Sequence, residues 1–254
     1  MTQLHGKTIL VTGGSRGIGA SIVGHLGASG ATVIAHYGSD RAGAEQALAG
    51  VPSERRHLLQ ADFSNPDSAS SLFAQALELV DRIDVVVANA AVMPSAAFSA
   101  PDDEWADAWR TALDVNLLAP ANLVRATLPH FLERGEGIVI GISSWAAQRG
   151  SGNPNLSAYA SSKAAFAAFL KSVARAHSRD GVLTYLVAPG IVSTDMSFRS
   201  AQQTGGVEAI TATLAMGEWV PPQEIAETVG FLASGRVRHL SGATLDVNGA
   251  SYIR

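Results

Sequence analysis

Thr8-Ile9-Leu10-Val11-Thr12-Gly13-Gly14-Ser15-Arg16-Gly17-Ile18-Gly19 passes from an apolar run into a glycine turn, and a helical pattern follows from Ala20 to Ser29. A strand that ends in glycines and opens a helix brings bare backbone, free N–H groups and the positive end of a helix dipole to one point. Such a point suits a pyrophosphate. The glycines Gly13, Gly17 and Gly19 are spaced GxxxGxG rather than GxGxxG. Alone they would also suit a plain tight turn. Their place directly after the first strand, at the head of a helix, favours a nucleotide site.

Outward from this stretch, short apolar runs alternate with helical patterns. The strands expected are Thr8–Thr12, Thr32–His36, Arg56–Leu59, Val85–Ala88, Gly137–Ile142, Leu183–Val187 and Thr244–Val247. Most are rich in Val, Ile and Leu on both faces, as parallel strands buried on both sides are. Helices are expected at about 17–29, 40–49, 66–81, 104–133, 156–178 and 222–234. The alternation predicts an α/β fold: a doubly wound parallel sheet of about seven strands with helices on both faces. No linker, repeat or low-complexity tract divides the chain, so residues 1–254 are expected to form a single domain. The cofactor-binding part would span about 1–115 and the catalytic part about 116–254.

Composition narrows the function. Apolar residues make up 47% of the 254 and charged ones 16%, which suits a large buried core. The net charge of −4, with no basic block, argues against nucleic acid as a partner. There are no cysteines, and the seven histidines are scattered, so no metal site is expected. The stretch from Val85 to Met93 is too short to span a bilayer, and Met1 to Lys7 lacks a signal-peptide layout. The expectation is a cytoplasmic protein with no membrane partner.

Tyr159 and Lys163 are the residues most suggestive of chemistry. They stand four apart in Ser157-Ala158-Tyr159-Ala160-Ser161-Ser162-Lys163 and share one face of a helix. A neighbouring ammonium favours the phenolate, so the Tyr159 pKa should fall, giving a general acid/base for a carbonyl or an alcohol. The second strand, where a dinucleotide fold usually carries an acid for the ribose, reads His36-Tyr37-Gly38-Ser39-Asp40-Arg41. Tyr37 stands where the acid is expected. Arg16, Arg41 and Ser39 could meet a 2′-phosphate, which favours NADP(H) and leaves NAD(H) open. Asp40 either caps the second helix or reaches the ribose.

These elements, in order, resemble the short-chain dehydrogenase/reductase superfamily, single-domain type, with a Rossmann-like fold. The resemblance covers nearly the whole chain: Thr12 to Gly19, Asp62, Asn89-Ala90-Ala91, Asn116, Ser144, Tyr159 with Lys163, and Pro189-Gly190. It is nearest to 3-oxoacyl-ACP reductase and glucose-dehydrogenase-like members. The resemblance implies that Gly13, Ser15, Arg16, Gly17, Ile18 and Gly19 cradle the cofactor. Asp62 would hold the adenine beside Phe63, and Asn89, Ala90 and Ala91 would line the cofactor. Pro189, Gly190, Ile191 and Thr194 would meet its nicotinamide end. Ser144 would hydrogen-bond the substrate oxygen, Tyr159 would carry the proton, and Lys163 would bind the nicotinamide ribose. Asn116 would hold a water linking Lys163 to solvent. Pro120, four residues later, has no N–H for the Asn116 carbonyl and predicts a kink there. The partner implied is a small carbonyl or alcohol substrate, and the assembly a homo-oligomer: a tetramer, or else a dimer, through helices 104–133 and 156–178.

Two departures keep alternatives open. Ser144 lies 15 residues before Tyr159 rather than the family's usual 13, and Ser143 is its rival. Residues 193–217 break the alternation and suggest a lid over an apolar pocket to which Trp145, Met93, Ile191 and Trp219 contribute. The activity expected is reversible hydride transfer between a nicotinamide and a ketone or secondary alcohol. The rival functions are a non-catalytic NADP-binding regulator on the same fold and a sugar-nucleotide epimerase or dehydratase.

Overall fold

Branched apolar side chains dominate the inner strands, and these strands pair in parallel in a computed structural model that describes residues 3–202 and 204–254. The strands are β1 (Thr8–Val11), β2 (Thr32–Tyr37), β3 (Arg56–Gln60), β4 (Val85–Ala88), β5 (Gly137–Ile142), β6 (Val182–Pro189) and β7 (Thr244–Val247). They form one sheet in the order β3-β2-β1-β4-β5-β6-β7, parallel at every pairing. The seven-stranded doubly wound sheet is therefore the one expected, with most ends within two residues. From β1 the chain winds outward to β3, then returns to lay β4 against the other side of β1. Between β1 and β4 the winding reverses, which opens a crevice beyond the carboxyl ends of the strands.

Each face of the sheet has its own core. On one, α1 (Gly17–Ala28) packs against α10 (Pro222–Ala233) over Ile9, Val11, Val33, Val85 and Ile140. The short helix α2 (Arg41–Ala47) flanks α1. On the other face, α3 (Ser68–Leu79), α5 (Ala119–Arg134) and α7 (Ser157–His177) cover Leu10, Ile34, Val86 and Val139. Phe131 and Phe166 are the largest fully buried side chains in that second core, 0% and 1% exposed. A Cβ on Gly137 would run into the Phe131 ring, so the glycine at the start of β5 is what lets α5 sit this close.

The single helix expected at 104–133 is instead α4 (Asp102–Leu113), a π turn at Asp114–Leu118, and α5. Pro120 cannot donate to the Asn116 carbonyl, and the helix widens there rather than simply bending. Three short helices stand outside the expected set: α6 (Ala146–Arg149) after β5, and α8 (Asp195–Gln202) and α9 (Val207–Thr211) within the 193–217 segment. Gln203 of that segment lies outside the described residues. Among the described residues no helix is long and apolar enough to cross a membrane.

Phe131→Ala should lower unfolding stability by about 3–5 kcal/mol, because the ring is fully buried and its cavity is walled by a strand that cannot collapse. Urea denaturation followed by circular dichroism measures this; a loss under about 1 kcal/mol would contradict the packing described.

Candidate active site

The switch point is held shut by polar groups that the strand ends leave over. The Thr12 hydroxyl donates to the Val87 carbonyl at 3.3 Å and accepts from the main-chain N–H groups of Asn89 and Ala90 at 3.0 and 3.1 Å. The Asn89 amide donates to the carbonyls of Thr12 and Gly13 at 2.9 and 3.1 Å. The end of β1 is thus bonded to the end of β4. The Asn89 side chain, expected to face the cofactor, spends its donor on this clamp. The glycine turn then lies so close to its neighbours that side chains are excluded. A Cβ on Gly19 would collide with the Gly13 carbonyl, and one on Gly13, whose φ is +66°, would meet the Ala90 Cα at 2.8 Å.

His36, which the sequence did not mark, braces this turn from the other side. Its Nδ1 accepts from the Gly13 N–H at 3.1 Å, and its Nε2 bonds the Ala61 carbonyl at 3.0 Å. One ring nitrogen must therefore be bare and the other protonated, which fixes the neutral Nε2–H tautomer. The ring also stacks on Phe63, with centroids 4.4 Å apart. Burial pulls the His36 pKa down to about 4.

A cavity of about 980 Å³ runs along the carboxyl edge of the sheet, from Ser39 and Phe63 past the glycine turn to Tyr159 and Trp219. Gly13, Ser15, Arg16, Gly17, Ile18 and Gly19 line it, and so do Ser39, Asp62 and Phe63. Ala90, Ala91, Pro189, Gly190, Ile191 and Thr194 also line it, together with Asn89. Helix α1 begins at this wall with no side-chain cap and no acid in its first turn. Its first N–H groups are therefore not taken up by a capping side chain, as an anion site at a helix head requires. A crowded glycine cradle, an uncapped helix and the Phe63 ring fit a dinucleotide.

Tyr37 and Arg41 do not reach this cavity. Successive side chains of a strand point to opposite faces, so with His36 turned to the glycine turn, Tyr37 faces away and is 8% exposed. Arg41 points into solvent and pairs with Glu45 at 2.8 Å. Of the groups expected to favour NADP, Arg16 and Ser39 remain. Asp40 caps α2 by accepting from the Gly43 N–H at 2.9 Å, the first of the two roles left open for it.

At the far end, α7 presents Tyr159 and Lys163 one turn apart. The Lys163 ammonium donates to the Ile142 carbonyl at the end of β5 at 2.8 Å, and burial lowers its pKa to about 8. The expected fall in the Tyr159 pKa does not occur: burial raises it, while the Ser144 hydroxyl beside the phenol pulls the other way. Desolvation of the fully buried phenolate is the larger of the two causes. Ser143 is turned to the main-chain carbonyl of Lys163 at 3.5 Å, which leaves Ser144 as the serine facing the tyrosine. Asn116 does not line the cavity. Its side chain grips Val92 in both directions at 2.9 Å and donates to the Ser162 hydroxyl at 3.0 Å. Any water at Asn116 would have to use its main-chain carbonyl.

Comparison with known proteins agrees with this geometry. A family described as short chain dehydrogenase matches residues 7–205. The chain belongs to the short-chain dehydrogenase family. It is accordingly an oxidoreductase of hydroxyl and carbonyl groups. It is 31% identical over 259 residues to 3beta-hydroxysteroid dehydrogenase 1 of Eggerthella lenta, covering 97% of this chain and 94% of the relative. It is 33% identical to 3-oxoacyl-[acyl-carrier-protein] reductase of Escherichia coli, covering 99% of each. A solved 3-oxoacyl (acyl-carrier-protein) reductase from Agrobacterium tumefaciens, with NADP bound, superposes with a TM-score of 0.86 at 32% identity, over 98% of this chain and 95% of that one.

Because folded His36 resists protonation, acid should act on the fold through it. The unfolded chain takes up a proton as pH falls below the ordinary value of 6.5, and the folded chain does so only near 4. This histidine's contribution is therefore complete above pH 6.5 and shrinks by roughly 3 kcal/mol on the way to pH 4. His36→Gln should show a shallower fall of melting temperature across that window than the parent protein. Parallel curves would contradict the brace.

Proposed function

We propose that this short-chain dehydrogenase uses NADP(H) to reduce a ketone to a secondary alcohol and to run the reverse reaction, with Tyr159 as general acid/base. The observation that carries the proposal is the phenol of Tyr159 beside the hydroxyl of Ser144, at the end of a cavity whose other end is a glycine cradle. The bound nicotinamide supplies the hydride chemistry. The protein's residues place the carbonyl and manage its proton. The substrate oxygen accepts from the Ser144 and Tyr159 hydroxyls, and the negative charge that develops on it is met by these two donors. Tyr159 stays a neutral phenol in its buried position, which is the form a proton donor needs. Lys163, held by the Ile142 carbonyl, lies one turn along the same helix face to receive the ribose and to restore the proton. Arg16 and Ser39, both on the cavity wall, supply the contacts for a 2′-phosphate.

We read residues 1–254 as one cytoplasmic domain, with the cofactor half ending near 115. We further read the chain as a homo-oligomer, a tetramer through α4, α5 and α7. Phe98 is 73% exposed and Leu118 45%, and Phe98, Trp105 and Trp109 form an aromatic row with ring centroids 5.4 and 5.8 Å apart. An apolar row of this kind is suited to burial against another subunit.

A spectrophotometric panel of ketones and secondary alcohols, run with NADPH and NADH side by side, tests the reading. Turnover with a preference for NADPH is expected. Tyr159→Phe should lower kcat by about 10²–10⁴-fold while the Kd for NADPH changes little. Equal kcat in the mutant, or cofactor binding with no turnover across the panel, would overturn the assignment; the second result would favour a regulator.

A further inference from the structure

We infer that the substrate is an apolar ketone carrying a carboxylate, and that Arg149 is the residue that receives this group. The inference rests on the ketone-reductase reading above and adds the substrate's chemical class. The substrate end of the cavity is walled by Trp145, Ile191, Ile210 and Trp219, which together with Leu214 and Ala201 form a separate apolar cluster. That wall suits an aromatic or alicyclic body. At its exposed edge stands a cation, Arg149. Arg149 lines the same cavity as Ser144 and Tyr159, and its guanidinium sits 4.2 Å from the centroid of the Trp145 ring.

The local chain explains why it sits there. Trp145 follows Ser144 directly, and its N–H donates to the Pro189 carbonyl at 2.9 Å, which fixes the start of α6. Arg149 lies one turn later, and its N–H returns to the Trp145 carbonyl at 3.2 Å, so both side chains share one face. The indole thus orients the guanidinium at the mouth of the cavity that Ser144 and Tyr159 also line. Among the described residues Arg149 makes no ion pair, whereas the other arginines with a paired carboxylate use theirs on the protein surface or at Asp84. A planar guanidinium with free N–H groups is matched to the two oxygens of a carboxylate.

The cavity's carboxylates do not cancel this charge. Asp40 accepts from Gly43 and Asp62 from Ser64 at the opposite end. Asp195 stands in the first turn of α8, where an acid complements the helix dipole.

The test compares 4-oxo-4-phenylbutanoate with its primary amide, two ketones that differ in charge at one position, using NADPH and the full chain. The wild-type ratio of kcat/KM, acid over amide, should exceed about tenfold, in keeping with one charge-assisted hydrogen-bond pair. Arg149→Gln should bring this ratio down by about tenfold or more, and Arg149→Lys should restore part of it. A wild-type ratio near one, a ratio unmoved in Arg149→Gln, or a preference for an amine-bearing ketone would overturn the inference. Reduction of simple neutral ketones alongside any of those results leaves the reductase reading standing. Absence of turnover on every carbonyl would remove that reading and this one together.

Discussion

The bonds between Thr12 and Asn89 tie the ends of β1 and β4, and the geometry of the site depends on that tie. β1 and β4 are neighbours in the sheet but are reached by windings of opposite sense. Their carboxyl ends would otherwise diverge as each chain leaves for a different helix. Four hydrogen bonds between 2.9 and 3.1 Å close the gap. Closure brings the glycine turn so near Ala90 that only bare backbone can occupy Gly13 and Gly19. The absence of side chains there is what leaves a cradle.

The same economy recurs further along the edge. His36 gives its two nitrogens to Gly13 and Ala61 and its face to Phe63, so one side chain joins the turn, the end of β3 and the aromatic wall. Asn116 gives its amide to Val92 and Ser162, fixing the segment after β4 to α7. Lys163 ties α7 to β5. Each buried polar group here joins two elements at the carboxyl edge, and the cavity is the space these ties enclose. A buried polar group is costly unless satisfied; here satisfaction and positioning are achieved by the same bonds.

How much of this was legible in the sequence follows from the range of each interaction. The strand runs, the glycine turn and the Tyr159–Lys163 spacing are local patterns, and all stand where the sequence puts them. The role of His36 depends on partners 23 and 25 residues away, and the Thr12–Asn89 tie spans 77. No local periodicity reports such contacts. Tyr37 and Arg41 stand off the cavity wall because proximity in sequence to a strand end does not say which face a side chain takes; His36 takes the cavity side, and its neighbour cannot. Helical spacing predicts that a cation shares the Tyr159 face, but it does not report how deeply the phenol is buried, and burial is what raises its pKa. The π turn at Asn116 is the case where a single residue, Pro120, foretold an irregularity without fixing its form.

In the proposed reaction a carbonyl held by Tyr159 and Ser144 receives a hydride from a cofactor seated in the glycine cradle. The most direct measurement follows the label. The protein is incubated with a prochiral ketone and NADPH carrying deuterium at one face of C4, with each face labelled in turn, in ordinary water. Mass spectrometry of the alcohol should find one deuterium on the carbinol carbon from one face and none from the other. Deuterium lost to solvent, or delivered equally from both faces, would contradict the account.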